Sequence, residues 1–137
     1  MVVRAVDGDT IVASIGGVDE KVRLIGVNTP ESVDPRRPVQ CFGPEASHHT
    51  KELLPPGTPI RLVRDAEARD KYDRLLAYVY RAKDDLFVNL ELITDGFAIA
   101  YPFRPNTAHS TEFAEAEQAA TAASLGIWAA CADPTKS

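Results

Sequence analysis

Three short segments carry charged or oxygen-bearing side chains where a strand or turn alone has no use for them. Asp7-Gly8-Asp9-Thr10 sets two carboxylates around a glycine that permits a tight bend. As an isolated feature it reads as a turn with solvated aspartates. Its chemical reading is one carboxylate facing a hard cation, which takes oxygen ligands. Arg23-Leu24-Ile25-Gly26-Val27-Asn28-Thr29-Pro30-Glu31 runs from a mid-strand arginine to a proline turn. Strand alternation sends Arg23 to the face opposite Val22 and Leu24. Pro30 biases Thr29 to an extended backbone. An Asn28 oxygen and the Thr29 carbonyl can then serve one cation, with Glu31 close by. A solvated strand arginine and an exposed loop carboxylate are the plain alternatives. Arg69-Asp70-Lys71-Tyr72-Asp73-Arg74 ends in a second arginine that begins a strand after a charged loop, expected to be exposed and mobile. It reads either as a solvated hairpin tip or as a phosphate clamp with an aromatic beside it.

Hydrolysis of a phosphodiester needs an activated water, relief of phosphoryl charge and alignment. A hard cation polarises the phosphate oxygen and orients the water. A carboxylate accepts the water proton. Two guanidiniums, always charged and able to bind bidentately, stabilise the equatorial charge and the leaving oxygen. Asp9, Glu31, Arg23 and Arg74 supply these parts.

The elements that must hold them fit one domain of 137 residues, 45% hydrophobic and 26% charged. Residues 2–6, 9–15 and 18–27 read as a β-meander, with Gly16-Gly17 as a hairpin turn. Residues 28–44 are loop-rich. Pro44 suits the first turn of a helix over 45–54, stopped by Pro55-Pro56-Gly57. Strands follow over 59–64 and 74–80, with the charged loop 65–73 between them. Asn89 is expected to cap a short helix over 90–95 that stops at Gly96. The longest helix is expected over 110–125, with Gly126 as its C-cap. Its apolar stripe is Phe113, Ala116, Ala120 and Ala123, with Ile127 and Trp128 beyond, and Trp128 is assigned to the core. Asp84-Asp85 reads as a hairpin turn. Residues 1–131 form the expected domain and 132–137 a frayed tail. Five strands first and three helices inserted late make an α+β protein, for which a five-stranded Greek-key β-barrel of the OB type is the natural candidate.

Bulk properties limit the partners. The formal charge of 15 − 20 = −5 argues against binding nucleic acid through a broad basic surface, and leaves room for cations gathered at a cleft. No apolar run approaches the roughly 18 residues of a membrane helix. Met1-Val2-Val3-Arg4 carries no basic-then-apolar leader. Cys41 and Cys131 read either as separate buried thiols or as one disulfide implying an oxidising compartment. Their spacing does not suit zinc. His48, His49 and His109 read as exposed or partly packed, since adjacent helical histidines point apart.

The ordered set V-D-G-D-T, R-L-I-G-V-N-T-P-E, F-G-P-E-A, D-K-Y-D-R-L-L-A-Y-V-Y, Y-P-F-R-P-N and L-G-I-W resembles the staphylococcal nuclease-like (thermonuclease) family over roughly residues 2–128. Any one motif is weak, and their order and spacing carry the resemblance. It implies an OB-fold barrel with three helices and a Ca²⁺-dependent nuclease acting on DNA and RNA to leave 3′-phosphates. It places catalytic roles on Arg23, Glu31 and Arg74, and calcium ligands on Asp9, Asn28 and the Thr29 carbonyl. Nucleotide binding falls on Lys71, Tyr72, Tyr101 and Phe103. Two departures bear on efficiency. Asn28 stands where the best-known member has an aspartate, which weakens a cation site. Asp73 stands where a glycine is expected before Arg74, where it can pair with that arginine or repel phosphate. The expected setting is secreted or periplasmic, with a signal segment absent from these residues. The expected form is a monomer, with a preference for single strands. The alternatives are a catalytically weak OB-fold nucleic-acid-binding module and a protein-interaction domain.

Overall fold

The computed structural model describes residues 1–30 and 40–131. Strands β1 (Val2–Ala5) and β2 (Thr10–Ile15) pair antiparallel. The chain then turns through Gly16-Gly17 into β3 (Val18–Leu24), in register from Thr10↔Arg23 to Ile15↔Val18. The third strand stops short of the expected residue 27. Gly26 takes φ 79° and turns the backbone, and a Cβ there would lie within contact of the Phe113 ring. Val27–Asn28 restarts as β4 and pairs with β8 (Ile99–Ala100).

The remaining long strands are β5 (Ile60–Val63) and β6 (Leu75–Arg81), which are antiparallel to each other. Strand β6 also runs parallel to β3, with Arg23 opposite Leu76. A short β7 (Leu86–Phe87) folds back on β6 through the turn at Asp84-Asp85. The path is therefore β1-β2-β3-β6-β5. Its two ends meet. Val2 N–H donates to Thr58 O at 2.9 Å, and Gly57 N–H donates to Val2 O at 2.7 Å, just before β5. The five long strands thus curl on themselves in the expected OB manner. Helices α1 (Gly43–Leu53), α2 (Val88–Thr94) and α3 (Ser110–Ala122) cover the sheet, and a short α4 (Ile127–Ala130) follows. Ile11, Val22, Leu24, Val27, Val79, Val88, Leu92, Ile93 and Phe113 form the centre of the core.

Three local expectations change. Asn89 is not a cap. It lies inside α2, fully buried, and its side chain joins separate elements. Its Oδ1 accepts Val79 N–H at 2.8 Å, while Nδ2 donates to Ile25 O at 2.9 Å and to Ala77 O at 3.3 Å. The long helix ends at Ala122 with Ala123 as its cap and exposed, and Gly126 instead opens α4. The cause is a close backbone approach: Ile127 N–H donates to Gly96 O at 2.8 Å, and a Cβ on Gly126 would collide with that carbonyl. Trp128 is only half-buried.

Cys41 and Cys131 are joined in a disulfide with Cα atoms 5.9 Å apart and a sequence separation of 90. Closing a loop of that length is worth roughly 4–5 kcal/mol in the chain-entropy picture.

Asn89→Ala should strand Val79 N–H and Ile25 O in the core. The expected loss is about 3 kcal/mol or more of unfolding free energy, measured by urea denaturation with an unchanged slope.

Candidate active site

The β1–β2 turn, the β3–β4 bend and the loop before β6 meet the 101–106 segment around one cleft of about 690 Å³. Gly8 makes the first approach possible. A Cβ there would sit 2.6 Å from Thr29 Oγ1, and Thr50 Oγ1 donates to Gly8 O at 2.7 Å. The turn is therefore pressed between Thr29 and α1. It aims Asp9, only 8% exposed, at the bend. Asp9 Oδ2 accepts Thr29 N–H at 3.1 Å and lies 3.4 Å from Arg23 Nη2, while Thr10 Oγ1 donates to Oδ1 at 3.3 Å. Arg23 is fixed from the other side. Its Nη1 donates to Leu24 O at 2.6 Å and to Val27 O at 2.8 Å, the carbonyls flanking the Gly26 bend.

The charged loop before β6 is internally hydrogen-bonded. Asp70 organises it. Its Oδ1 accepts the backbone N–H of Tyr72 at 2.9 Å and of Arg74 at 3.0 Å, and its Oδ2 accepts Arg74 Nε–H at 2.7 Å. Burial alone would raise the Asp70 carboxyl, but the N–H donors of Arg74 and Tyr72 and the Arg74 charge outweigh it and hold the pKa below its ordinary 3.8. Asp73 does not pair with Arg74. With φ 63° its side chain swings into solvent, 3.7 Å from Arg69. A left-handed backbone at this position is the conformation glycine favours. Arg69 in turn donates to Glu20 at 2.6 Å and to Asp73 O at 2.9 Å, and its bond and charge lower the Glu20 carboxyl.

The opposite rim is clamped to this loop by a reciprocal amide pair. Glu67 N–H donates to Asn106 Oδ1 at 2.8 Å, and Asn106 Nδ2 donates to Glu67 O at 3.0 Å. Below it, Tyr78 OH donates to Asp65 Oδ2 at 2.6 Å, and Ala108 N–H donates to the same oxygen at 3.0 Å. Burial and the Asp65 carboxylate push the Tyr78 hydroxyl far above its usual range.

Every described residue selected for chemistry or nucleotide binding lines this one cleft: Asp9, Arg23, Asn28, Thr29, Lys71, Tyr72, Arg74, Tyr101 and Phe103. Glu31 lies outside the described residues. The aromatic side chains that stand out in solvent, Tyr72, Tyr101 and Phe103, are all on its rim. Lys71 and Arg74 both sit over the Tyr72 ring, at 5.1 and 5.4 Å. The histidines are elsewhere: His48 pairs with Glu52, His49 stacks on Phe97, and His109 packs against Tyr78 and Phe87. Asp7, Glu67, Asp70, Arg104 and Asn106 also line the cleft and were given no individual role from sequence. Only Asp70 carried a readable signal, a carboxylate four residues before an arginine in a turn-rich loop.

The arrangement gathers guanidiniums, buried oxygen donors and exposed rings, a set suited to a phosphate bearing bases. The family model described as staphylococcal nuclease homologue matches residues 21–130. The chain belongs to the staphylococcal nuclease family. It is 44% identical over 128 residues to the thermonuclease of Staphylococcus intermedius, covering 93% of this chain and 74% of that protein. Against the thermonuclease of Staphylococcus hyicus it is 39% identical over 127 residues, covering 93% and 73%. The endonuclease YncB of Bacillus subtilis is 41% identical over 126 residues, which is 91% of this chain and 59% of that protein. As a staphylococcal nuclease relative, the protein is a phosphodiesterase acting on nucleic acid.

Because the folded pKa of Asp70 is depressed, its contribution is complete above the ordinary 3.8 and is lost as pH falls through the lowered value. In this nuclease the Arg74 Nε–H proton should give a protected NMR signal from neutral pH down past 3.8. Asp70→Asn should weaken that signal at every pH. A signal indifferent to the substitution would mean that Asp70 does not hold Arg74.

Proposed function

We propose that the protein is a Ca²⁺-dependent nuclease that hydrolyses phosphodiester bonds of DNA and RNA to 3′-phosphate products. The observation that carries this reading is the convergence of Asp9, Arg23, Asn28, Thr29 and Arg74 on one cleft rimmed by Tyr72, Tyr101 and Phe103. In this reading Glu31 takes a proton from the attacking water. Arg23 and Arg74 bear on the phosphate oxygens as negative charge grows there. As the water oxygen bonds to phosphorus the P–O5′ bond breaks, the leaving O5′ oxygen takes a proton from solvent, and the phosphate stays on the 3′ side. Asp70 keeps the Arg74 guanidinium in place, and Asp9 with the bend carbonyls does the same for Arg23.

The donors suit a hard cation. The Asp9 carboxylate is buried and oriented by Thr29 N–H, and Asn28 and Thr29 line the same wall. All offer oxygen, the ligand type calcium takes. Among the described residues no three His, Cys, Asp or Glu side chains gather as a metal cluster, so the site would lean on amide and carbonyl oxygens as well as Asp9. When bound, Ca²⁺ supplies charge that polarises a phosphate oxygen and aligns the water.

Exposed rings suit unpaired bases, which supports a preference for single strands. The disulfide supports a secreted or periplasmic setting. No helix among the described residues is long and apolar enough to cross a membrane. The chain is read as a monomer. The second reading, a catalytically weak binding module, draws on Asn28, a neutral amide at the cation site.

Single-stranded DNA should be cut in Ca²⁺ and spared in excess chelator, with 3′-phosphate ends on the products. A folded protein that binds the strand yet leaves it whole in Ca²⁺ would put the binding module first. Glu31→Gln should lower turnover by two orders of magnitude or more, roughly the weight of a general base, while nucleotide affinity holds. Loss of both together would assign Glu31 to the fold or the cation instead.

A further inference from the structure

The cations of the cleft are not equivalent. Arg23 is paired with Asp9, Arg74 with Asp70, and Lys71 lies over the Tyr72 ring. Arg104 lines the same cleft and is exposed, and among the described residues it has no hydrogen-bond or ion-pair partner. Its backbone is nonetheless held. Asn106 N–H donates to Phe103 O at 2.9 Å, which makes Arg104-Pro105 the corner of a tight turn. The Asn106 amide then clamps that turn to Glu67 through two hydrogen bonds. Asn106 itself is 3% exposed, so the clamp is a buried anchor.

The result is an uncommitted guanidinium on a fixed turn, next to an exposed ring, inside a cleft of a protein carrying net charge −5. A guanidinium binds phosphate through its planar fork, and an adjacent ring takes a base face. The paired arginines are committed close to Asp9 and Asp70. A neighbouring phosphate along the same strand needs a different cation, and an acidic surface offers few.

We propose that the Phe103–Arg104 turn is a second phosphate subsite, which binds a phosphodiester beyond the one being cut and makes the enzyme sensitive to strand length. This rests on the nuclease reading of the cleft. Arg104 here is a binding residue with no part in the bond-breaking step.

Equilibrium binding by fluorescence anisotropy tests it without cleavage. The probes are a labelled oligothymidylate octamer, and a thymidine dinucleotide as competitor, both in excess chelator. Arg104→Gln should weaken the octamer roughly tenfold and the dinucleotide less than about twofold. It should also make the slope of log affinity against log salt shallower by about 0.7, the share of one phosphate on a single strand. Arg104→Lys should restore the salt slope, and both variants should melt as the wild type does. Octamer affinity within about twofold of wild type in Arg104→Gln, or equal weakening of both probes, would overturn the subsite. Cleavage of the same octamer in Ca²⁺ reads separately on the nuclease assignment. An octamer that binds through Arg104 but is never cut would keep the subsite and remove the catalysis.

Discussion

The parallel seam between β3 and β6 is the constraint from which the site follows. Parallel pairs cannot be joined by a tight turn, and here the connection runs through α1, β5 and the charged loop. The seam is short, from Val22↔Leu75 to Leu24↔Ala77, and its end would leave polar backbone groups inside the core. Asn89 closes it by meeting Val79 N–H, Ile25 O and Ala77 O with one side chain. Arg23 lies within the seam opposite Leu76, and Arg74 comes just before β6 begins. The register that fills the core therefore also sets the two guanidiniums on one cleft.

Holding two arginines in a cleft costs conformational entropy unless their forks are already occupied. The protein occupies them with its own oxygens. Two carbonyls and a carboxylate fix Arg23, and one carboxylate that also organises its loop fixes Arg74. Several acidic side chains of this net-negative chain are thus part of the positioning apparatus: Asp9, Glu20, Asp65 and Asp70 each brace an element of the site. An excess of carboxylates is consistent with a phosphate-handling cleft when so many of them are engaged in this way.

Much of the fold was legible because its signals are local. Gly16-Gly17 marked a hairpin, Pro44 a helix start, and alternation the long strands, and each element forms close to where its residues place it. The misreadings share a cause, which is that a long-range contact won. Asn89 has a capping side chain, yet the core claims it for a bridge to strands far away in sequence. Gly126 looks like a helix stop, yet the contact with Gly96 makes it a start. Within the site, Asp9, Arg23 and Arg74 stood out as charges without a structural excuse. Asn106 and Arg104 did not, because a polar residue after a proline-rich stretch looks like any loop. The value of the Asn106 side chain lies in its meeting with Glu67, far away in sequence.

The Cys41–Cys131 bond makes a covalent ring of most of the chain. Lys71, Arg74, Tyr101 and Arg104 all lie within that ring, on loops that reach solvent. A protease that cuts one of those loops opens the ring but releases nothing. The two fragments stay tethered at high effective concentration, with the barrel still able to hold them in register. A protein with such a tether resists the first cut of digestion, because separation of the pieces needs a second cut or a reductant.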